Sequence, residues 1–180
     1  LKIKDIFLLV RNVHIKSVRK GDVLIEAGSH AKDVYFIRRG LVRSFIVDAG
    51  GREITFQLYA EMDVFSNAHA ILFEEQSKFT YQALETTKVF VIQYESLMEM
   101  TSKNADLLAL NRRFFGKRII QKAFQRLETL VFLTPEERYA KFLQDHRNLI
   151  PRVPDKYIAN VLGITPVSLS RIRKRMASKK

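Results

Sequence analysis

The sequence predicts an α+β chain with a β-rich N-terminal half, one long connecting helix and a small helical module near the C-terminal end. Three observations carry this expectation. Short apolar runs separated by glycines and acidic turn residues recur from about residue 12 to 94. Residues 104–130 contain no proline and one glycine, with apolar side chains throughout. Two short amphipathic stretches then meet at Gly163 and Thr165-Pro166.

In the first half, Val13–Arg19 alternates apolar and polar residues before Lys20-Gly21-Asp22 turns the chain. Val23–Ile25 is a brief strand ending at Ala27-Gly28-Ser29, and Val34–Ile37 leads to Arg39-Gly40. Leu41–Val47 is expected to pair with Ile54–Tyr59 across Asp48-Ala49-Gly50-Gly51, the clearest hairpin signal present. Phe79–Leu84 and Val89–Tyr94 complete the set. Many short strands at near-even spacing favour a sandwich or a rolled-up barrel.

The stretch from residue 104 to about 130 is long enough for a helix of nearly 40 Å at ~1.5 Å per residue. Its apolar residues make two edges. Leu107, Leu110 and Phe114 form one, and Leu108, Phe115 and Ile119 form the other. A helix packed against its own domain alone needs a single stripe, so a second surface, on a partner helix, is expected for this one. Burial on all sides within one subunit is the competing reading. Thr134-Pro135-Glu136-Glu137 is a capping box that opens a further helix to about Asp145. Pro151 and Pro154 mark the loop that follows.

The last two helices have a specific layout. Ile158, Ala159 and Leu162 form an apolar face on the first, and Gly163 stands where the chain must leave it. Thr165 supplies an N-cap and Pro166 the first helical position. On the second helix Leu169 and Ile172 point inward, leaving Ser168, Ser170, Arg171, Lys174 and Arg175 outward. That spacing reads as a DNA-binding helix-turn-helix. An ordinary amphipathic hairpin with a basic solvent face is the competing reading, and the distribution of charge weighs against it.

The net charge of the 180 residues is +12, and it is uneven. Residues 1–100 hold 13 Lys/Arg against 13 Asp/Glu, whereas residues 101–180 hold 18 against 6. Residues 151–180 alone carry 8 basic side chains against the single Asp155. A surplus concentrated on one small module is the footprint of a polyanionic partner.

Composition also excludes chemistry. With no cysteine, these residues can form no disulfide, thiolate metal site or cysteine-ligated iron–sulfur cluster, which fits a reducing cytoplasmic setting. The run Ile6–Val10 is too short to span a bilayer and lacks the layout of a signal peptide, so no membrane partner is expected. The sequence opens at Leu1 rather than Met, so a short preceding stretch is expected to be missing. The histidines are His14, His30, His69 and His146, with no two adjacent, whereas a metal-dependent enzyme built on a β-roll needs clustered ligands. No phosphate-binding glycine loop and no nucleophile–base grouping is present. Neither catalytic residues, nor a metal site, nor a cofactor is expected.

Lys20-Gly21-Asp22, Gly28 and Val34–Gly40 resemble the glycine framework of a cyclic-nucleotide-binding-type jelly roll. Ile158–Ile172 resembles the recognition module of bacterial Crp/Fnr transcription regulators. Their order, with one long helix between them, matches that family over nearly the whole chain. The resemblance implies a sensor β-roll at 1–103, a connecting dimerisation helix at 104–130 and a helix-turn-helix domain at 131–180. It assigns Leu107, Leu110, Phe114, Phe115 and Ile119 to the dimer helix. In relatives that bind cyclic AMP, a Gly-Glu pair holds the ribose and a later Arg-Ser pair holds the phosphate. Ser66-Asn67 and Ser77-Lys78 occupy those positions here. The ribose carboxylate is gone and no arginine fork faces the phosphate, so cyclic AMP is not expected in the usual pose. Another small-molecule effector near Ser66, Asn67, Ser77 and Lys78, or none, is expected instead.

The resemblance also implies how DNA is read. The family uses an Arg and a Glu early in the recognition helix, where this chain has Pro166 and Val167, and an Arg one turn later, which Arg171 matches. Arg171 is therefore the expected base reader, able to fork onto a guanine. Val167 is suited to a thymine methyl, and Thr165, Ser168 and Ser170 to base or phosphate. Lys156, Arg173, Lys174, Arg175 and Lys179 are expected on phosphates. The expected partners are double-stranded DNA and a second copy of the chain, with RNA polymerase and a small-molecule effector as further candidates. The alternative is a small-molecule sensor or protein-interaction module whose helix-turn-helix is vestigial.

Overall fold

The computed structural model describes residues 12–102, 107–109 and 117–178. Among them, the first half forms strands β1 (His14–Val18), β2 (Val23–Ile25), β3 (Asp33–Arg39), β4 (Val42–Val47), β5 (Glu53–Tyr59), β6 (Val64–Ser66), β7 (Thr80–Ala83) and β8 (Thr87–Gln93). These make two four-stranded sheets, ordered β1-β8-β3-β6 and β2-β7-β4-β5. Strands distant in sequence lie side by side: β3 pairs with β8, placing Tyr35 opposite Val91, and β4 pairs with β7, placing Ser44 opposite Tyr81. This two-sheet pattern is the expected jelly roll. By proximity, the chain divides into one compact unit of Leu1–Ile46 with Gln57–Ile119, and a second of Val47–Phe56 with Ile120–Lys180.

The roll closes on aromatic side chains. Tyr35 stacks on Phe65 at 4.9 Å and Phe65 on Tyr81 at 5.3 Å, with Tyr59 tilted against the last two. Aliphatic residues Val18, Leu24, Ile25, Ile37, Val42 and Val89 belong to the same buried cluster. The tyrosine hydroxyls are not stranded: Tyr35 donates to the Leu24 carbonyl at 3.2 Å and Tyr81 to the Ser66 carbonyl at 3.0 Å. Burial, together with the nearby Asp33 carboxylate, pushes the Tyr35 hydroxyl up to about 12. Arg43 is also buried, its guanidinium bonded to the Gln82 amide oxygen at 2.7 and 3.1 Å and lying over the Phe45 ring.

Two features of this unit differ from the strand pattern expected at its ends. Val64-Phe65-Ser66 forms β6 against β3, a strand too short to announce itself by periodicity. Tyr94, expected to end a strand, opens helix α2 (Tyr94–Ser102), after the five-residue helix α1 (Ala68–Leu72). Leu97, Met100 and Thr101 lie on one face of α2 and are buried, Leu97 and Met100 in a cluster with Val34 and Ile92. That i, i+3, i+4 spacing overrides the β-forming residues just before it.

The β4–β5 hairpin turns where the glycines stand. Asp48 Oδ1 accepts from the Gly50 and Arg52 amides, each at 2.9 Å, and Gly51 takes φ +76°. Those bonds, first among them the one from the Arg52 amide, hold the Asp48 carboxyl below the usual carboxylate range. In the second unit, the hairpin tip meets the helices: the Thr55 amide donates to Asn160 Oδ1 at 3.0 Å, and the Arg126 guanidinium lies 4.6 Å from the centre of the Phe56 ring.

The second unit holds helix α3 (Lys117–Phe132) from Ile120 onward, α4 (Pro135–Asp145), a 3₁₀ turn (Arg147–Leu149), α5 (Asp155–Leu162) and α6 (Pro166–Ala177). Their core is Tyr139, Phe142, Leu149, Val153, Ile158, Ala159, Leu162, Leu169 and Ile172, all buried.

Gly40 is the tightest point of the roll. It sits at φ +119°, and a Cβ there would lie 2.6 Å from the Thr87 Cα, inside any permitted contact. Thr87 cannot retreat, being fully buried with its hydroxyl accepting from the Leu41 amide and donating to the Glu85 carbonyl. Gly40→Ala is therefore expected to destabilise the protein by at least about 2 kcal/mol. A urea titration followed by far-ultraviolet circular dichroism checks this, and an unchanged midpoint would contradict it.

Candidate nucleic-acid interface

The site is assembled from the α5–α6 turn outward. Helix α5 ends at Gly163, which takes the left-handed conformation at φ +66°. Its amide donates to the Asn160 carbonyl at 2.9 Å while the next amide, of Ile164, reaches the Ala159 carbonyl at 3.0 Å. This pair of bonds is a Schellman motif, which ends one helix and redirects the chain within two residues. Thr165 then caps α6, its hydroxyl accepting from the Ser168 amide at 3.1 Å, with Pro166 at the first position. Helices α5 and α6 pack together, with Ile158, Ala159 and Leu169 fully buried and Ile172 almost so.

That burial decides what α6 presents. Val167, Ser170, Arg171, Lys174 and Arg175 are exposed, as is Lys156 on α5. Among the described residues, Arg171 and Lys174 have no side-chain hydrogen bond or ion pair. Val167 is an apolar side chain 60% exposed to solvent. Ser168 is half-buried rather than free, its hydroxyl 3.0 Å from that of Thr165. Arg175 pairs with Glu136 at 2.6 Å, and Lys156 stands 4.8 Å from the centre of the Tyr157 ring. An open groove of about 500 Å³ runs along α6, with Ser168, Arg171, Lys174 and Arg175 on its wall and Pro135 of α4 opposite.

Arg173 differs from its neighbours. Its Nε donates to the Tyr139 hydroxyl at 2.9 Å and its Nη1 to Asp155 Oδ2 at 2.5 Å. Burial alone would lower its pKa, but the bonds to Tyr139 and Asp155 outweigh that and hold it above the ordinary arginine value. The arginine expected on a phosphate is turned toward the protein. Lys179 lies outside the described residues.

Of the four residues expected near an effector, Asn67 and Ser77 have side chains engaged within the roll. Asn67 is buried, caps α1 through Oδ1 and donates from Nδ2 to the Ser29 carbonyl at 3.0 Å. Ser77 is buried as well and donates to the Phe79 carbonyl at 2.7 Å. The Ser66 carbonyl is taken by Tyr81, and Lys78 is exposed. His69 is half-buried beside Phe73 and Phe79, and His146 is exposed with its ring beside that of Phe142. Among the described residues, no three His, Cys, Asp or Glu side chains gather as a metal site, and no helix is long and apolar enough to cross a membrane.

Residues 15–104 match the cyclic nucleotide-binding domain family. The fumarate and nitrate reduction regulatory protein of Vibrio cholerae is 32% identical over 171 residues, 87% of this chain and 66% of that protein. The chain belongs to the Crp/Fnr family. The protein of the same name from Escherichia coli is 30% identical over 174 residues, and again the chain spans 66% of its length. Among solved structures, FixK2 from Bradyrhizobium japonicum superposes with a TM-score of 0.76 at 20% identity, over 93% of this chain and 85% of that one. The c-di-GMP-responsive regulator CLP of Xanthomonas campestris gives 0.75 at 14% identity, over 99% and 93%. At those identities the likeness is one of fold.

In this Crp/Fnr chain the dimer-helix residues need separate treatment. Leu107 is buried. Leu110, Phe114 and Phe115 lie outside the described residues, as does the side chain of Ile119. Further along α3, Ile120, Phe124, Leu127 and Val131 are 59%, 61%, 59% and 71% exposed, spaced four, three and four residues apart. They make an open apolar stripe. Its first three members are visible in the sequence as apolar helix positions, but exposure is not. Tyr139, Asp155 and Glu136, the partners of Arg173 and Arg175, carry no sequence signal because they lie 18 to 39 residues from the arginines they meet.

The capping box at Thr134 is present as expected: Glu137 Oε2 accepts from the Thr134 amide at 2.8 Å and the Thr134 hydroxyl from the Glu137 amide at 3.3 Å. The bond from the Thr134 amide holds the Glu137 carboxyl below the usual glutamate range. A lowered carboxylate stabilises the fold above its unfolded value, and the contribution is lost as the pH falls through the folded one. Glu137→Ala should therefore melt earlier than the parent at neutral pH, and the gap should close on acidification through that lowered value. Melting curves from pH 7 to 3 check this, and a gap independent of pH would contradict it.

Proposed function

We propose that this chain is a homodimeric, sequence-specific DNA-binding transcription regulator of the bacterial cytoplasm, and not an enzyme. The observation that carries this reading is the division of α6 into a buried apolar edge and an open edge holding Arg171 and Lys174, neither engaged within the described residues. Two copies of α6 would enter successive major grooves about 34 Å apart and read a roughly two-fold symmetric site. Arg171 is the base reader, with Val167 against a thymine methyl and Ser170 within reach of base or backbone. Lys156, Lys174 and Arg175 neutralise phosphates, Arg175 by exchanging Glu136 for DNA. RNA polymerase is the downstream partner of a promoter-bound dimer.

The dimer reading is supported by the open stripe on α3, which has the spacing of a coiled-coil seam. The reading leaves cyclic AMP out. The first cassette position lacks the carboxylate that ribose needs, the second offers Lys78 in place of an arginine fork, and Asn67 and Ser77 are already bonded within the roll.

Two outcomes follow. Arg171→Ala should weaken binding to a selected site by about 1–3 kcal/mol and relax preference at one base pair. Anisotropy titrations against single-base variants of that site check it, and an equal loss on every duplex would make Arg171 a phosphate contact. Phe124→Glu, at an exposed position, should leave the fold intact but shift the protein from dimer to monomer in sedimentation equilibrium. A variant that stays dimeric would take the seam off α3.

A further inference from the structure

We propose that Arg173 is a positioning residue for DNA recognition. It clamps α6 to α4 and to the first turn of α5, and so sets the direction in which Arg171 points. The inference rests on the DNA-binding reading and goes beyond it, because it moves Arg173 from the phosphate contacts to the frame behind them.

The argument begins with what apolar packing cannot do. Leu169 and Ile172 fix which edge of α6 is buried, but apolar packing is non-directional and supplies no bond that holds the helix against small rotations about its own axis. Rotation is what base reading cannot tolerate. Directional bonds on the protein side of α6 remove that freedom, and Arg173 supplies them. Two residues on from Arg171, it projects from nearly the opposite side of the helix, at ~100° per residue. Its planar fork is held at two separate nitrogens by partners on two other elements: the hydroxyl of Tyr139, which is 5% exposed on α4, and the carboxylate of Asp155, which opens α5. Two donors of one rigid plane fixed to two elements define an orientation, where a single surface ion pair does not. The Tyr139 ring beside the guanidinium, at 5.6 Å, closes the remaining side.

The competing role, a phosphate contact, makes the opposite prediction at Asp155. If Asp155 merely occupies Arg173 until DNA arrives, removing its charge frees a cation and strengthens binding everywhere. If the two form a clamp, the same change weakens binding to the preferred site alone, although the chain becomes more positive.

The test uses the full chain with two probes: a duplex selected from a random-sequence library and a duplex of shuffled sequence, each titrated over a range of salt. Asp155→Asn and Arg173→Met are each expected to lower affinity for the selected duplex roughly ten-fold, the order of one lost base contact. Affinity of Asp155→Asn for the shuffled duplex should stay level or rise, and the salt dependence of Arg173→Met should keep the parent's slope. Arg173→Lys keeps the charge and can make one of the two bonds, so it should recover part of the loss. Asp155 is half-exposed, so Asp155→Asn carries the test even if Arg173→Met fails to fold. The clamp is overturned if Asp155→Asn tightens both duplexes equally, if Arg173→Met flattens the salt slope by about one, or if neither variant changes the ratio of the two affinities. In each of those cases the DNA-binding reading stands. A parent chain with no affinity for either duplex at low salt would remove that reading and the clamp together.

Discussion

The buried seam between α5 and α6 is the constraint on which the functional face depends. Ile158, Ala159, Leu162, Leu169 and Ile172 leave almost no surface to water. Each large aliphatic so buried contributes about 1.5–3 kcal/mol, far more than any single polar contact on the exposed side of α6. Ala159 matters by being small, since a larger side chain there would hold the helices apart. The Schellman bonds at Gly163 and the cap at Thr165 let that seam form, because they turn the chain between two helices while pairing the amides of Gly163, Ile164 and Ser168. Once the seam is set, the identity of the residues between and just beyond its members decides what the opposite edge offers to a partner. Those residues are Val167, Ser170, Arg171 and Lys174.

The β-roll answers to a different constraint. Its interior is occupied by the stack of Tyr35, Phe65 and Tyr81, with Tyr59 against them, and the hydroxyls of Tyr35 and Tyr81 close onto backbone carbonyls. Around the Ser29 carbonyl, Asn67 and the Ser77 amide both donate, tying the start of α1 to the strand edge. A ligand entering here would have to displace bonds that the fold already uses. A chain can therefore keep the glycine framework, such as Gly40 against Thr87, whatever polar groups its side chains offer at Ser66, Asn67, Ser77 and Lys78. Framework and ligand chemistry are separable because the first is enforced by backbone sterics and the second only by side chains.

Much of this was legible in the sequence wherever the signal is local. The hairpin at Asp48–Gly51, the capping box at Thr134, the left-handed Gly163 and the cap and proline opening α6 are each decided by neighbouring residues, and the structure has them where spacing puts them. The strand β6 and helix α2 escaped, the first for want of length and the second because Tyr94 continues a β-like run. Long-range pairing escaped more completely. Nothing in the spacing of Arg173 distinguishes it from Arg171 or Lys174, yet Tyr139 and Asp155 turn it inward. Exposure on α3 could not be read either, since an apolar stripe looks the same whether it faces a core or solvent.

That limit bears on what net charge means. Residues 151–180 carry a surplus of seven positive charges, which suggests strong attraction to any polyanion. The geometry sorts those charges into kinds. Arg173 is bonded to Asp155, and Arg175 shares a short contact with Glu136. Arg171 and Lys174 line the groove without a partner among the described residues. The paired cations still add to the long-range field that steers an encounter, because a field sums over all charges. They do not all become phosphate contacts, because a cation that keeps its carboxylate releases no counterion from the DNA. Attraction and recognition thus draw on different members of one basic cluster. A count of arginines and lysines measures the first, and only the hydrogen-bond partners of each side chain measure the second.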